Sequence, residues 1–157
     1  MIILGIDPWT TSVWYGIVEK IGNTYTILDF GVIETTPKLE LEKKLLEIGH
    51  DMKALIKKYE PEIVSVEKLF FTTNVKTGIA VAHARWVILY EIEKSGAKLL
   101  EYTPLQVKKA ITSNGQANKK QLQNAIKMIF RLDNIPKPDD AADAIWLAYM
   151  GALNSRG

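Results

Sequence analysis

Ile2-Ile3-Leu4-Gly5-Ile6-Asp7-Pro8 opens the chain with an unbroken apolar run that stops at a carboxylate. A run this short, closed by an acid and a proline, reads as a strand buried on both faces of a sheet. Moving outward, Val13 to Glu19 and Tyr25 to Ile33 are rich in β-branched and aromatic residues. Gly22-Asn23 between them is a hairpin signal. The first third of the chain is therefore expected to be three strands in a meander.

Beyond it the period changes. Leu41, Leu45, Ile48, Met52, Leu55, Ile56 and Tyr59 recur at helical spacing within a helix predicted over Leu39 to Tyr59, and Pro61 follows its end. Ile63-Val64-Ser65-Val66 is a short strand ending at Glu67. Asn74 to Ser95 reads as a helix stopped by Gly96, and Lys98 to Tyr102 as a fifth strand. Thr103-Pro104 opens a short helix with a threonine cap. Further helices are expected from Asn118 to about Leu132 and from Pro138-Asp139 to near Leu153. Strands one, four and five are separated by helices, so they should run parallel through right-handed crossovers. The fold class is α/β, a mixed five-stranded sheet flanked by helices.

The 157 residues suit one domain with one buried core, spanning 1–157. There are no cysteines, which excludes disulfides, thiolate metal sites and cysteine nucleophiles. The first residues lack the basic flank and apolar stretch of a secretory signal, and no apolar run is long enough for a membrane span. The expectation is a cytoplasmic protein without a membrane. A net charge of +2 says little about partners. Its distribution says more, because lysines come in pairs: Lys43-Lys44, Lys57-Lys58, Lys108-Lys109 and Lys119-Lys120. Lysine suits phosphate contacts without base readout; the plainer explanation for any one pair is a solvated helix face.

The chemistry lies in the acids. Asp7 ends the first strand and Glu67 the fourth, and in open α/β sheets sites form beyond the carboxyl ends of adjacent parallel strands. Asp140-Ala141-Ala142-Asp143 offers two more carboxylates on one helix face. Each acid has an ordinary explanation alone: a strand-end turn for Asp7, an exposed side chain for Glu67, and a dipole-favoured helix start for Asp139 and Asp140. Together they point to a cation, since clustered carboxylates otherwise take up protons or splay apart. All-oxygen ligation selects Mg²⁺ or Mn²⁺. Two such ions, about 3.5–4 Å apart, hydrolyse phosphodiesters. His50 and His83 sit within predicted helices and show no serine pairing.

Leu4-Gly5-Ile6-Asp7-Pro8, Tyr15-Gly16, Val66-Glu67-Lys68-Leu69-Phe70-Phe71, Asn74-Val75, Ala84-Arg85, Gln106-Val107-Lys108 and Asp140-Ala141-Ala142-Asp143-Ala144 resemble the signature blocks of the RuvC resolvases, in order and at matching spacing over nearly the whole chain. The resemblance implies an RNase H-like fold and a homodimer with two sites. It implies an endonuclease that binds a four-way (Holliday) DNA junction and nicks two strands of like polarity, usually beside a branch-migration motor. It makes Asp7, Glu67, Asp140 and Asp143 the catalytic and Mg²⁺-binding quartet. Phe70 matches a residue that contacts bases at the opened junction, and Lys108 and Lys119 match DNA-contacting lysines.

The chain departs from that pattern at its four tryptophans. Trp9, Trp14 and Trp86 stand where the family usually has glycine, and Trp146 where it has a small residue. Three explanations remain open. Compensating changes accommodate the indoles; the protein binds junctions but cuts poorly; or one codon written as tryptophan is decoded as glycine, which the intact mass of the native protein decides. Other functions are also open. Gly5 to Ser12 resembles the phosphate hairpin of actin-like and sugar-kinase-like ATPases, although 157 residues leave no room for their second domain. A junction-binding protein without catalysis and a relative acting on RNA complete the alternatives.

Overall fold

The computed structural model describes residues 1–9, 12–68, 75–112 and 117–155. Strands β1 (Ile2–Pro8), β2 (Ser12–Ile21) and β3 (Thr24–Glu34) form the expected antiparallel meander, with Gly22 at φ +57° in its tight turn. Strands β4 (Ile63–Glu67) and β5 (Lys98–Tyr102) add on the other side, giving the order β3-β2-β1-β4-β5. β1 and β4 are parallel neighbours, as are β4 and β5. Helices α1 (Leu41–Tyr59) and α2 (Val75–Ser95) make the crossovers, and α3 (Pro104–Thr112), α4 (Lys119–Phe130) and α5 (Asp139–Asn154) follow β5. No helix among the described residues is long and apolar enough to cross a membrane.

Helix ends differ slightly from expectation, for local reasons. α1 starts at Leu41 rather than Leu39, behind Glu40, whose side chain makes no cap. α4 stops at Phe130 because Arg131 turns left-handed at φ 53° and closes the helix without the glycine that usually marks such an end. The helices expected from Thr103-Pro104 and from Asn118 start where the sequence put them. Thr103 and Gln106 bond each other's backbone N–H at α3, and Asn118 and Gln121 do the same at α4.

Strand alternation sends successive side chains to opposite faces. Leu4 and Ile6 of β1 and Val64 and Val66 of β4 pack against Ile48 and Met52 of α1 and Ile88 and Ile92 of α2. Ile3 and Ile63 face the other way, into a second core with Ile126, Phe130, Ile145 and Trp146. Each such aliphatic side chain contributes about 1.5–3 kcal/mol by leaving water. Asp7 and Glu67 continue the alternation of Ile3 and Ile63, so both acids fall on the α5 face.

α5 lies unusually close to that face. A Cβ on Gly5 would stand 2.0 Å from the Ala144 carbonyl oxygen, and one on Gly16 would stand 2.8 Å from the Ile145 Cα. No side chain fits at either point, so helix and sheet meet backbone to backbone. The far end of α5 is tied down separately. Lys20 Nζ donates to the Ala152 carbonyl at 2.7 Å and Tyr102 Oη to the Met150 carbonyl at 3.2 Å.

Candidate active site

Parallel pairing places Ile6 beside Val66, so the acids that follow them emerge together at the carboxyl end of the sheet. Asp7 is almost wholly buried, at 4% exposure. Glu67 is half-buried, and the two carboxyl groups share a hydrogen bond. α5 brings Asp143 to the same place. Asp7, Glu67 and Asp143 line one cavity of about 280 Å³, together with Trp9, Lys108 and Trp146. Asp140 stands outside that lining, within electrostatic reach of Asp7 and Asp143.

Crowding alters the acids. Burial pushes the Asp7 carboxyl up, opposed by the hydrogen bonds from Glu67 and Trp9. Burial, the hydrogen bond to Asp7 and the Asp7 charge raise Glu67 to about 8. Asp143 opens to solvent at the mouth, yet the protein around it and the charges of Asp7 and Asp140 raise it to about 6. Carboxylates crowded and buried in this way favour a cation, which offsets their mutual repulsion. A larger opening of about 460 Å³ between α1 and α2 is bordered by Lys53, Lys57, Glu60 and Lys94, all solvent-facing. Chemistry rather than size selects the acidic cavity.

Among the described residues, no three acids or histidines are gathered closely enough to cage one ion by themselves. The donor set still fits a hard divalent cation. Mg²⁺ is usually held by one or two carboxylates, with water and substrate phosphate completing the shell, and the buried Asp7–Glu67 pair offers such a contact. Asp143, within electrostatic reach of Asp7, offers a second.

The other predicted residues are spread around this centre. Lys108 of α3 is on the cavity wall. Lys119, at the start of α4, forms an ion pair with Asp139, whose other oxygen accepts from Gln123 Nε2 at 2.9 Å. Asp139 read as a helix-start residue in the sequence; its contact with Lys119 depends on two helices meeting and has no local signature. Phe70 lies outside the described residues. Trp9 is half-exposed at the cavity edge, and its Nε1 donates to Asp7 Oδ2 at 3.3 Å. Glycine at this position would suit a left-handed turn. The left-handed non-glycine residues among those described are Lys38, Glu60 and Arg131, so Trp9 carries no such strain.

Residues 3–150 match the family model described as "Crossover junction endodeoxyribonuclease RuvC". The chain belongs to the RuvC family. A RuvC from Petrotoga mobilis is 46% identical over 149 residues, covering 95% of this chain and 91% of the relative. One from Halothermothrix orenii is 49% identical over 145 residues, covering 92% and 88%. The solved structure of Thermus thermophilus RuvC in complex with Holliday junction substrate superimposes with a TM-score of 0.92 at 28% identity, covering 99% of this chain and 95% of that one. The RNase H-like fold expected from the RuvC resemblance is therefore the fold this chain has. Within this RuvC-family frame, sequence reading missed the indole bond to Asp7 and the Asp139 contact to Lys119. Nearness in sequence could have suggested only the first.

Proposed function

We propose that this protein is a divalent-metal-dependent endonuclease that resolves four-way DNA junctions. One observation carries the reading: acids from the first strand, the fourth strand and the last helix meet in one cavity, with carboxyl groups raised by burial and by one another. Family membership supports the substrate, since curated RuvC relatives are crossover junction endodeoxyribonucleases and the Thermus RuvC was solved on a Holliday junction.

In this reading Asp7, Glu67, Asp140 and Asp143 hold Mg²⁺, two ions per site, with Mn²⁺ as a substitute. When bound, the ions supply Lewis acidity to the attacking water and the leaving oxygen of the phosphodiester. The chain's own groups do the rest. Buried Asp7 accepts a hydrogen bond from the Trp9 indole N–H, a contact that cleavage does not require. Glu67, raised to about 8 by burial and by Asp7, would release its proton on holding a cation. Lys108 on the cavity wall and Lys119 at the α4 start meet backbone phosphates. Phe70 contacts bases opened at the branch point.

Two such sites in a homodimer nick two strands of like polarity symmetrically, in the cytoplasm and beside a branch-migration motor. The dimer is supported by α2, where Ile79, Trp86 and Tyr90 follow one another at helical spacing and are 50%, 67% and 62% exposed. A synthetic four-way junction tests the whole reading. Paired symmetric nicks with Mg²⁺ are expected, with binding but no cleavage in chelator. A folded protein that leaves the junction uncut at every Mg²⁺ or Mn²⁺ concentration would refute it.

A further inference from the structure

Arg85 belongs to a motif that the proposed chemistry does not use. It projects from α2, on the face of the sheet opposite α5. Its side chain is only 15% exposed, and its guanidinium pairs with Glu101 of β5. Glu101 lies opposite Val66 in the β4–β5 register, so its side chain points toward α2 as Val66 does. The same guanidinium turns its Nε to the carbonyl oxygen of Glu67 at 3.5 Å. One residue further, the Lys68 N–H donates to the Tyr102 carbonyl at 2.8 Å and continues the strand pairing. Arg85 thus holds, from behind, the peptide whose side chain enters the acidic cavity in front.

A mostly buried ion pair on an otherwise apolar face needs a reason. Such pairs return little net stability, because desolvating both charges offsets their attraction, and apolar residues of similar volume often serve as well. What they do supply is direction. A planar guanidinium with donors at fixed angles can hold a carboxylate and a carbonyl in one relative position. Here those two groups sit on adjacent strands at the point where β4 ends. Among the described residues, the pairing of β4 with β5 reaches no further than the Lys68 N–H, and on the α2 side the Glu67 carbonyl is met by Arg85.

We infer that Arg85, oriented by Glu101, is a positioning residue for Glu67 that fixes where its carboxylate stands relative to Asp7. The inference rests on the reading of Glu67 as a cleavage acid. Arg85 touches neither cation nor phosphate; it acts through the Glu67 main chain.

The test replaces both partners. R85M/E101L removes the two charges together while keeping apolar volume, so its melting temperature is expected to stay near that of the parent. Junction affinity in chelator should be unchanged. With Mg²⁺, kcat should fall roughly a hundredfold at constant KM, the scale of a small misplacement of a reacting group. The Mg²⁺ concentration giving half of the cation-induced rise in melting temperature should increase. R85K, which keeps the charge but not the planar fork, should fall between the two. A folded R85M/E101L with parental kcat and Mg²⁺ midpoint would overturn the inference. Should that variant not fold, E101Q decides: unchanged kcat and Mg²⁺ midpoint overturn it, and a loss in both supports it. E67Q run alongside separates the two levels. If E67Q still cleaves, the reading of Glu67 fails; if E67Q is inactive while R85M/E101L cleaves normally, only the role of Arg85 fails.

Discussion

The two faces of the sheet are packed by different rules. On one, large aliphatic side chains such as Ile48, Met52, Ile88 and Ile92 lie between the strands and helices α1 and α2. On the other, α5 is seated on Gly5 and Gly16 with no side chain between the backbones. Aspartate is short. For Asp143 to share a cavity with Asp7, the helix that carries it must approach the strand more closely than isoleucine or leucine would permit. Close seating is the geometric requirement of the site, and ordinary packing suffices where nothing reacts.

This contrast can be broken deliberately, most severely at the acids themselves. Asp7→Asn and Glu67→Gln should each lower cleavage by about a thousandfold or more, the scale of losing several kcal/mol of cation-mediated stabilisation. Junction binding in chelator should persist, and cleavage near the parental rate would remove the assignment. Next comes the seat. Gly5→Ala should cost about 1–3 kcal/mol of stability by overpacking and also reduce cleavage by roughly a hundredfold, because α5 must move. Ile88→Ala, on the other face, should cost about 2–5 kcal/mol yet leave cleavage per folded molecule unchanged. Equal losses of activity in the two variants would show that the faces do not differ as described.

Acidity sharpens the comparison without cleavage. Glu67 is raised from 4.5 to about 8 and Asp143 from 3.8 to about 6. Between the ordinary and raised values the folded protein keeps protons that the unfolded chain has released, so stability declines as pH rises through that window. Metal-free protein should therefore melt about 5 °C lower at pH 9 than at pH 5.5, with Mg²⁺ restoring part of the difference at high pH. Glu67→Gln should flatten the profile, and an unaltered profile in that variant would contradict the account. The smallest effects belong to the lysines. Lys108→Ala and Lys119→Ala should each make the salt dependence of junction binding shallower by about one counterion. Asp139→Asn, which releases Lys119 from its ion pair, should steepen it; no change in slope would argue against phosphate contact.

Much of this was readable beforehand because it depends on near neighbours in sequence. The apolar run ending at Asp7, the helical period of α1 and the cap at Thr103 are local patterns, and local energetics honours them. The parallel direction of β1, β4 and β5 followed from the helices between them, but their order in the sheet, which makes β1 and β4 neighbours, did not. Less was readable where distant side chains converge. The three-residue spacing placed Asp140 and Asp143 on one face, but it also separates them by about 4.5 Å along the helix axis. Only Asp143 lines the cavity. The ties of Arg85 to Glu101 and of Lys119 to Asp139 join elements whose mutual placement no period encodes. How tryptophan is accommodated at position 9 was left open by the sequence; its indole donates to Asp7. Trp9→Gly should therefore keep cleavage within about threefold, or raise it if freeing the Asp7 oxygen eases cation capture. A larger loss would make the indole part of the machinery.

Because Gly5 and Asp7 lie near the start of the chain while Ala144 and Asp143 lie near its other end, the cavity closes only when the earliest strand receives the latest helix. A nascent polypeptide emerging from the ribosome holds Asp7 and Glu67 long before Asp143 exists to join them. On the role proposed for Asp143, cleavage would wait until α5 has been made and seated, through the order of the elements alone.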